Sequence, residues 1–474
     1  MPVAGRPNIL VLLLDSARAA NVSCYGYGKG TTPVIDGLAA EGALFRQAVS
    51  NGCWTLPSHA TLFTGRHPSS HGLTRTGDAL PAGVPTLAAL LADAGYSTAC
   101  FSNNAYISAA TGLTAGFAHV DDVWRETNPR GMARPKLSGR LRKLEQRGPA
   151  MRPVVAVLRA AKRVRSTVRG WRRPTADHGA ALTNDRLRAW LAGRDPERPF
   201  FAFVNYMEAH ERYSPPRPWD RRFLPPGTTR VQVAGLGSKG EILASTGRRR
   251  SSSLAVLTGL YDGTIGYLDA RIGELLEDLR ASGDLEDTVV VVTADHGDSL
   301  GEHGYLGHRL YLYEELVRVP LIVNHPGTFP AGTVVEEQAE LGDLFPTLLE
   351  LAGAAPAAGA TPFRSLLPGA APAPPYAVLE NTAPKALDLV QMRALRTPHR
   401  KFIWRSDGRH QLFDLELDPG EEHDLSPTAP DVVESMLTTL DDWERSFAGT
   451  TLQPAEAAYD EATLERLRGL GYIG

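Results

Sequence analysis

The chain has 474 residues, 43% of them hydrophobic, and its 50 Lys/Arg against 53 Asp/Glu leave a formal net charge of −3. That length buries a large core, as one big α/β domain with an appendage or as two to three domains, and the near-balanced charge speaks against a nucleic-acid partner. No apolar run reaches the roughly 18 residues that a membrane-spanning helix needs.

In chain order, Ile9 to Leu14 is an unbroken apolar run, expected to be a buried strand, and it leads directly into Asp15. It is too short for the hydrophobic region of a signal peptide. Three cysteines, Cys24, Cys53 and Cys100, offer no even disulfide framework, so a reducing, cytoplasmic compartment is expected. Thr31 to Gly42 reads as a short helix, with Thr32 as its cap, Pro33 in its first turn and Gly42 at its end. Residues 57–65 read as a second helix and Thr86 to Ala94 as a third, followed by a strand from Tyr96 to Phe101. This alternation predicts a doubly wound sheet.

Residues 125–175 break the pattern. From Arg125 to Arg173 there are 16 Lys/Arg and 2 Asp/Glu, a local charge of +14, which leaves 34 basic and 51 acidic residues elsewhere, net −17. Val154, Val157, Leu158, Ala161, Val164 and Val168 recur there at helical spacing, flanked by Arg159, Lys162, Arg163, Arg165 and Arg169. A basic helix over residues 152–173 is expected. Its charged face suits an anionic membrane surface, which would make the protein membrane-peripheral, or a polyanionic substrate; its Val face equally suits packing on the catalytic domain.

The core pattern resumes with a helix near 178–192, a strand at 199–206, a long helix at about 254–281, a strand ending at Asp295 and another at Leu321 to Val323. Residues 352–375, rich in Ala, Pro and Gly, read as a linker. Beyond it come strands at Ala377–Glu380, Met392–Arg396, Lys401–Trp404 and Gln411–Leu417, then helices near 430–446 and 460–469. The division is therefore a catalytic domain over 6–351, carrying the basic insertion, and a small C-terminal α+β subdomain over 376–474.

Asp15 and Asp295-His296 each end a strand, so their side chains can meet at the edge of the sheet where open α/β folds place ligands. Two Asp and one His make a site suited to one divalent ion, Ca²⁺, Mn²⁺, Zn²⁺ or Mg²⁺. Thr55, in Thr55-Leu-Pro-Ser-His59, supplies a hydroxyl at a helix start as a fourth ligand, and coordination lowers a hydroxyl's pKa towards the nucleophilic alkoxide. The helix start adds N–H groups and a positive dipole end for an anionic ester. His210, His303 and His308 follow the strands that carry the site, where they can bind ester oxygens or exchange protons with the leaving group.

The combination resembles the sulfatases of the alkaline phosphatase superfamily. The resemblance rests on Pro7 to Asp15, Tyr25-Gly-Tyr27 with Thr32-Pro33, Thr55-Leu-Pro-Ser-His59 with Thr64-Gly65, Thr293-Ala-Asp-His-Gly297 with Gly301-Glu-His-Gly304, and Tyr313-Glu-Glu315 with Arg318-Val-Pro320. It extends to Leu412-Phe-Asp-Leu-Glu-Leu-Asp418 and Leu467 to Tyr472, leaving out about 125–175 and 225–250. It implies a three-layer sandwich around a central, mostly parallel sheet, a metal held by Asp15, Asp295 and His296, and a nucleophile at position 55. Catalytic roles then fall to Thr55, His59, His210 and His308, and substrate binding to Asn104, His303 and Arg309. The family pattern carries Cys or Ser at the nucleophile position, in Cys-x-Pro-Ser-Arg, oxidised to formylglycine. Here Thr55 stands there, His59 replaces the Arg, Ser16 replaces a second acid, Asn103-Asn104 stand where a lysine is expected, and His308 replaces another. Cys53 lies two positions early without the Pro and Arg of the maturation motif, so no formylglycine is expected.

The expected activity is metal-dependent hydrolysis of sulfate or phosphate esters through Thr55. A phosphodiesterase or phosphotransferase acting on a lipid-linked or polyanionic substrate is one alternative, and a catalytically silent anion- or membrane-binding scaffold is another.

Overall fold

The computed structural model describes residues 6–127, 177–234, 236, 247–308, 311–325, 327–354, 359–381, 390–447 and 451–470. The expected basic helix at 152–173 and the candidate Arg309 lie outside the described residues.

The fold is built on strand β1 (Asn8–Leu14), all of whose residues are buried. It runs parallel to both neighbours, β5 (Phe200–Tyr206) and β6 (Thr288–Thr293), with Ile9 beside Phe201 and Leu13 beside Thr293. A strand covered on both faces needs apolar side chains at every position, hence the unbroken run. The remaining strands are β2 (Ala43–Val49), β3 (Ser97–Ser102), β4 (His119–Asp121), β7 (Leu321–Asn324) and β8 (Thr333–Glu340). They complete an eight-stranded sheet in the order β8-β2-β7-β6-β1-β5-β3-β4. Only β7 runs against the others.

Helices cover both faces. On one side α1 (Pro33–Glu41), α4 (Ala180–Gly193) and α5 (Gly247–Ser282) pack together. On the other side lie α2 (Thr55–Thr64), α3 (Leu87–Asp93) and α6 (Leu344–Leu351). The alternation of β5 shows the two layers: Phe200 meets Trp190 of α4, and Phe203, an odd number of positions on, meets Phe63 of α2. The expected three-layer architecture with a mostly parallel sheet is thus what the chain forms.

Local details differ from expectation. Thr32 sits at the cap position of α1 but donates its hydroxyl to Asp36. The first N–H groups of α1, those of Val34 and Ile35, are instead accepted by Asp269 of α5 at 3.1 and 2.9 Å. By contrast Thr86 caps α3 with its own side chain, accepting from Ala89 N. Three strands of this sheet, β2, β4 and β8, were not legible in the sequence.

In the C-terminal region β9 (Ala377–Asn381), β10 (Met392–Arg396), β11 (Arg400–Arg405) and β12 (Gln411–Asp414) form an antiparallel sheet. Strand β12 is shorter than predicted because the Asp414 carboxylate accepts the N–H groups of Glu416 and Leu417, turning the chain. Helix α7 (Pro430–Ser446) closes this sheet through Met436, Leu440 and Trp443, and α8 (Glu461–Leu470) ends the described chain.

A charged seam joins the two sheets. Arg396, 1% exposed, forms a bidentate pair with Glu314 at 2.9 Å and also donates to Gln338 and Gln47 at 2.9 and 2.8 Å. Lys401 bridges Glu314 and Glu421 at 3.2 and 3.0 Å. Burial alone would raise the Glu314 carboxyl, but Arg396 and Lys401 outweigh it and hold it far below the usual range. Arg396→Met leaves this carboxylate half-paired in the interior. Urea unfolding should show a loss on the order of 3 kcal/mol; a wild-type midpoint would show the seam to be dispensable.

Candidate active site

Every candidate ligand sits at the carboxyl end of a parallel strand. Asp15 follows β1, Asp295 and His296 follow β6, Asn104 follows β3, and Thr55 opens α2 just after β2. Asp15, Asp295, His296, Thr55 and Asn104 are all fully buried. One oxygen from each of Asp15 and Asp295 and one nitrogen of His296 lie within 4.8 Å of one another.

The hydrogen bonds around this cluster leave its inner atoms facing each other. Ser16, in the left-handed region at φ 65°, turns its N–H onto Asp295 Oδ1 at 3.1 Å. His296 N donates to the same oxygen at 2.9 Å, leaving Asp295 Oδ2 buried without a hydrogen-bond partner. His296 Nδ1–H donates to Gly297 O at 2.8 Å, so its Nε2 presents a lone pair, also unpartnered, 3.4 Å from Asp295 Oδ2 and 4.0 Å from Asp15 Oδ1. Three electron-rich atoms converge with nothing but a proton or a cation able to bridge them. Burial and the neighbouring Asp15 push the Asp295 carboxyl well above its ordinary value. Burial would raise Asp15 too, but the nearby histidines His210, His296 and His59 and the Asn104 amide hold it below the usual carboxylate range. This donor set fits one divalent ion.

Asn104 links the cluster to Thr55. Its Oδ1 accepts from Tyr106 N at 3.0 Å, which turns Nδ2 towards Asp15 Oδ2 at 2.8 Å and Thr55 Oγ1 at 3.4 Å. Asn205 Nδ2 donates to the same Asp15 oxygen at 3.3 Å. Asn104, expected as a substrate contact, thus bonds to Asp15 and lies within hydrogen-bond reach of the Thr55 hydroxyl.

The histidines separate into groups. His59 Nδ1–H donates to Thr55 O, one helical turn back, at 2.8 Å and lies 3.6 Å from Asp295 Oδ2. Its ring packs edge-on against Phe63 and Phe203. Burial pushes its pKa down to about 4, so at neutral pH it is an uncharged group supporting Thr55 and Asp295. The His308 ring lies tilted at 4.4 Å from that of His296 and edge-on at 5.0 Å from that of His210, between ring centroids, which brings both beside the cluster. His303 is not brought there: its ring stacks on Tyr313 at 3.8 Å and its Nε2 lies 3.8 Å from Glu315. His303, Glu315 and Glu421 form a second grouping with metal-like spacing, but Lys401 already pairs with Glu421.

Sequence reasoning missed Ser16 as a backbone donor, Asn205, and Asp298. A polar Asn205 inside an otherwise apolar strand was the one legible signal among them. Gly297 has a packing reason: a Cβ there would meet Glu315 O at 2.1 Å and Arg18 Cγ at 3.0 Å.

Comparison with known proteins gives a consistent answer. Residues 7–354 match the family model described as Sulfatase, and residues 301–445 match the C-terminal model of N-sulphoglucosamine sulphohydrolase. The chain is 25% identical to an arylsulfatase of Clostridium perfringens over 453 residues, covering 88% of this chain and 89% of that protein. It is 25% identical to a choline-sulfatase of Rhizobium meliloti over 498 residues, covering 98% and 90%. The phosphonate monoester hydrolase of Agrobacterium radiobacter superposes with a TM-score of 0.69 at 21% identity, over 93% of this chain and 96% of that one.

Asp15→Asn and Asp295→Asn should each abolish stoichiometric uptake of Mn²⁺, Zn²⁺ or Ca²⁺ without changing the circular dichroism spectrum. Because Asp295 holds a proton well above the ordinary carboxylate range, a cation must displace that proton. Affinity should therefore rise with pH and fall on acidification. Calorimetry in buffers of different ionisation enthalpy reads the released proton; uptake with no proton release would contradict this account of the cluster.

Proposed function

Because the chain belongs to the sulfatase family, a family of ester hydrolases, we propose that it hydrolyses monoanionic esters, sulfate monoesters or phosphate diesters, with Thr55 as nucleophile. The observation that carries this reading is the Asn104 amide, which ties Thr55 Oγ1 to the Asp15 carboxylate at the edge of the acid cluster.

A divalent ion held by Asp15, Asp295, His296 and Thr55 would lower the pKa of the Thr55 hydroxyl and draw in an ester oxygen. The chain's own groups supply the rest. Thr55 opens α2, a helix of ten residues, so the positive end of the helix dipole lies at the nucleophile. Asn104 fixes the rotamer of the attacking oxygen, and His59 backs the peptide that carries it. His210 and His308 stand at the rim, where the leaving oxygen must pass.

Charge selects the substrate. With two ionised carboxylates and one divalent ion the cluster sums to zero, and His59 adds nothing at neutral pH. The Arg18 guanidinium is bound to Glu302 at 2.8 Å and to Asp298 O at 3.3 Å. Such a site favours an ester with one negative charge over a phosphate monoester with two. A phosphotransferase is the second reading, favoured by the hydroxyl nucleophile, because a Thr ester can be passed to an alcohol as well as to water. A silent scaffold is disfavoured by the presence of all three cluster residues.

Thr55→Val keeps the shape and removes the oxygen, so turnover should fall by about 10³-fold or more, while Thr55→Ser keeps part of it. Metal-reconstituted protein should cleave an aryl sulfate or a diaryl phosphate faster than an aryl phosphate monoester. Cys53 should keep the mass of an unmodified cysteine. Near-normal turnover in Thr55→Val would reduce Thr55 to a helix start, and formylglycine at Cys53 would reassign the nucleophile.

A further inference from the structure

We infer that Asn51 is a positioning residue for the proposed nucleophile: it ties the peptide that leads into Thr55 to the C-terminal sheet, so that this sheet helps set where the attacking oxygen stands. The inference rests on Thr55 being the nucleophile. Helix α2 has Trp54 at its cap position, and no side chain caps the helix from there. Its first turn must therefore be located by the residues that precede it.

Those residues are held from two directions. Ser50 N donates to Val317 O at 2.8 Å. Ser50 Oγ–H donates to Ser58 Oγ at 3.0 Å, and Ser58 donates in turn to Trp54 O at 3.0 Å. A Cβ at Gly52 would meet Ser58 Oγ at 3.0 Å and Pro57 Cγ at 3.2 Å, so the loop lies directly on the first turn of α2. Asn51, fully buried, reaches three further elements. Its Nδ2 donates to Glu340 Oε2, at the end of β8, at 2.6 Å and to Val378 O of β9 at 3.1 Å. Its Oδ1 accepts Gly342 N, in the turn before α6, at 3.2 Å. Its own carbonyl accepts Glu380 N, also of β9, at 2.9 Å. The Val378 carbonyl can only accept and the Gly342 amide can only donate, which fixes the orientation of the Asn51 amide. Gly52, Cys53 and Trp54, all buried, separate this hub from Thr55. A shift of about 1 Å at a reacting group can cost about 10²-fold in rate, so a link so near the nucleophile bears on kcat more than on ground-state binding.

The Asn51–Glu340 contact also allows the role to be read through pH in a variant. Burial and the neighbouring Asp343 push the Glu340 carboxyl well above its ordinary range, against the Asn51 amide, the Val378 N–H and Arg364, which pull it down. Burial raises Asp343 to about 6. Arg364, 3.4 Å from Glu337, is the cation that faces this pair. Asn51→Asp keeps the side-chain shape and puts a second carboxyl where Nδ2 meets Glu340. Two carboxyls in contact share a proton at low pH and repel once both ionise at high pH.

The test is steady-state kinetics on Mn²⁺-loaded wild type, Asn51→Ala, Asn51→Asp and Asn51→Asp with Glu340→Gln, using an aryl sulfate and a diaryl phosphate from about pH 6 to 9. Asn51→Ala should lower kcat by about 10–10²-fold, with KM and the Mn²⁺ bound per chain within about 2-fold of wild type. Asn51→Asp should lose kcat relative to wild type as pH rises. Adding Glu340→Gln leaves one carboxyl in the contact, and should flatten that profile and recover about 10-fold at its upper end. Asn51→Asp carries the test from the low-pH end if Asn51→Ala does not fold. A folded Asn51→Ala with wild-type kcat would overturn the proposal. So would a kcat loss matched by loss of bound Mn²⁺, or an Asn51→Asp loss that neither varies with pH nor recovers with Glu340→Gln. Wild type that cleaves neither ester, or a Thr55→Val that keeps turnover, would overturn the Thr55 reading instead.

Discussion

Two carboxylates placed side by side in the interior constrain most of this molecule. Asp15 and Asp295 leave adjacent parallel strands at the same edge, and neither has access to water. Such a pair cannot carry two charges without a cation, and in its absence the second charge is avoided by holding a proton. The surrounding structure answers that cost with a specific set of donors. Ser16 N and His296 N both serve one oxygen of Asp295, Asn104 and Asn205 both serve one oxygen of Asp15, the Ser16 hydroxyl donates to the other at 3.2 Å, and Asp295 Oδ2 and His296 Nε2 face inwards without a hydrogen-bond partner. The left-handed Ser16 and the close-packed Gly297 follow from the same demand, since each brings backbone where a longer path would lose a hydrogen bond.

The C-terminal sheet reaches this cluster through a short chain of contacts. Arg396 and Lys401 fix Glu314. The next residue, Glu315, accepts from Ser299 at 3.1 Å and presses its carbonyl against Gly297, whose N–H donates to Leu316 O at 2.7 Å. Gly297 O in turn holds His296 Nδ1. The seam therefore does more than join two sheets: it sets the back wall of the loop that carries Asp295, His296 and Asp298. A loss at Arg396 has a route to the site that does not require global unfolding.

The sheet's centre was legible because β1, β5 and β6 are covered on both faces and must be apolar throughout. The edge strand β8 was not, since its Thr-Val-Val-Glu-Glu-Gln pattern is that of a half-exposed, charged edge. In β2, Arg46 and Gln47 interrupt the apolar pattern because Gln47 serves Arg396 across the seam. The cap of α1 was misassigned for a related reason: Asp269 lies far away in sequence, and a local motif carries no sign of it. Asp15, Thr55, Asp295 and His296 were legible as an ordered set of strand ends and a helix start. The direction of Asn104, the inward packing of His59 and the Asp298–His308 contact depend on where loops return, and no spacing encodes that.

The departures from the sulfatase pattern form a coherent set. His59 stands for an arginine, Asn104 and His308 for lysines, and Thr55 for the oxidised cysteine. Three of these exchange a permanent cation for a group that is neutral or carries charge only when protonated. A site with formylglycine needs cations to hold a dispersed anion while the intermediate collapses unaided. A site with threonine needs a group able to take a proton from water, and ammonium and guanidinium groups cannot do that at neutral pH. Exchanging cations for imidazole and amide thus lowers the permanent positive charge carried by these positions. On the proposed Thr55 reading, the preference for an ester with one negative charge follows from that single alteration in the chemistry around position 55.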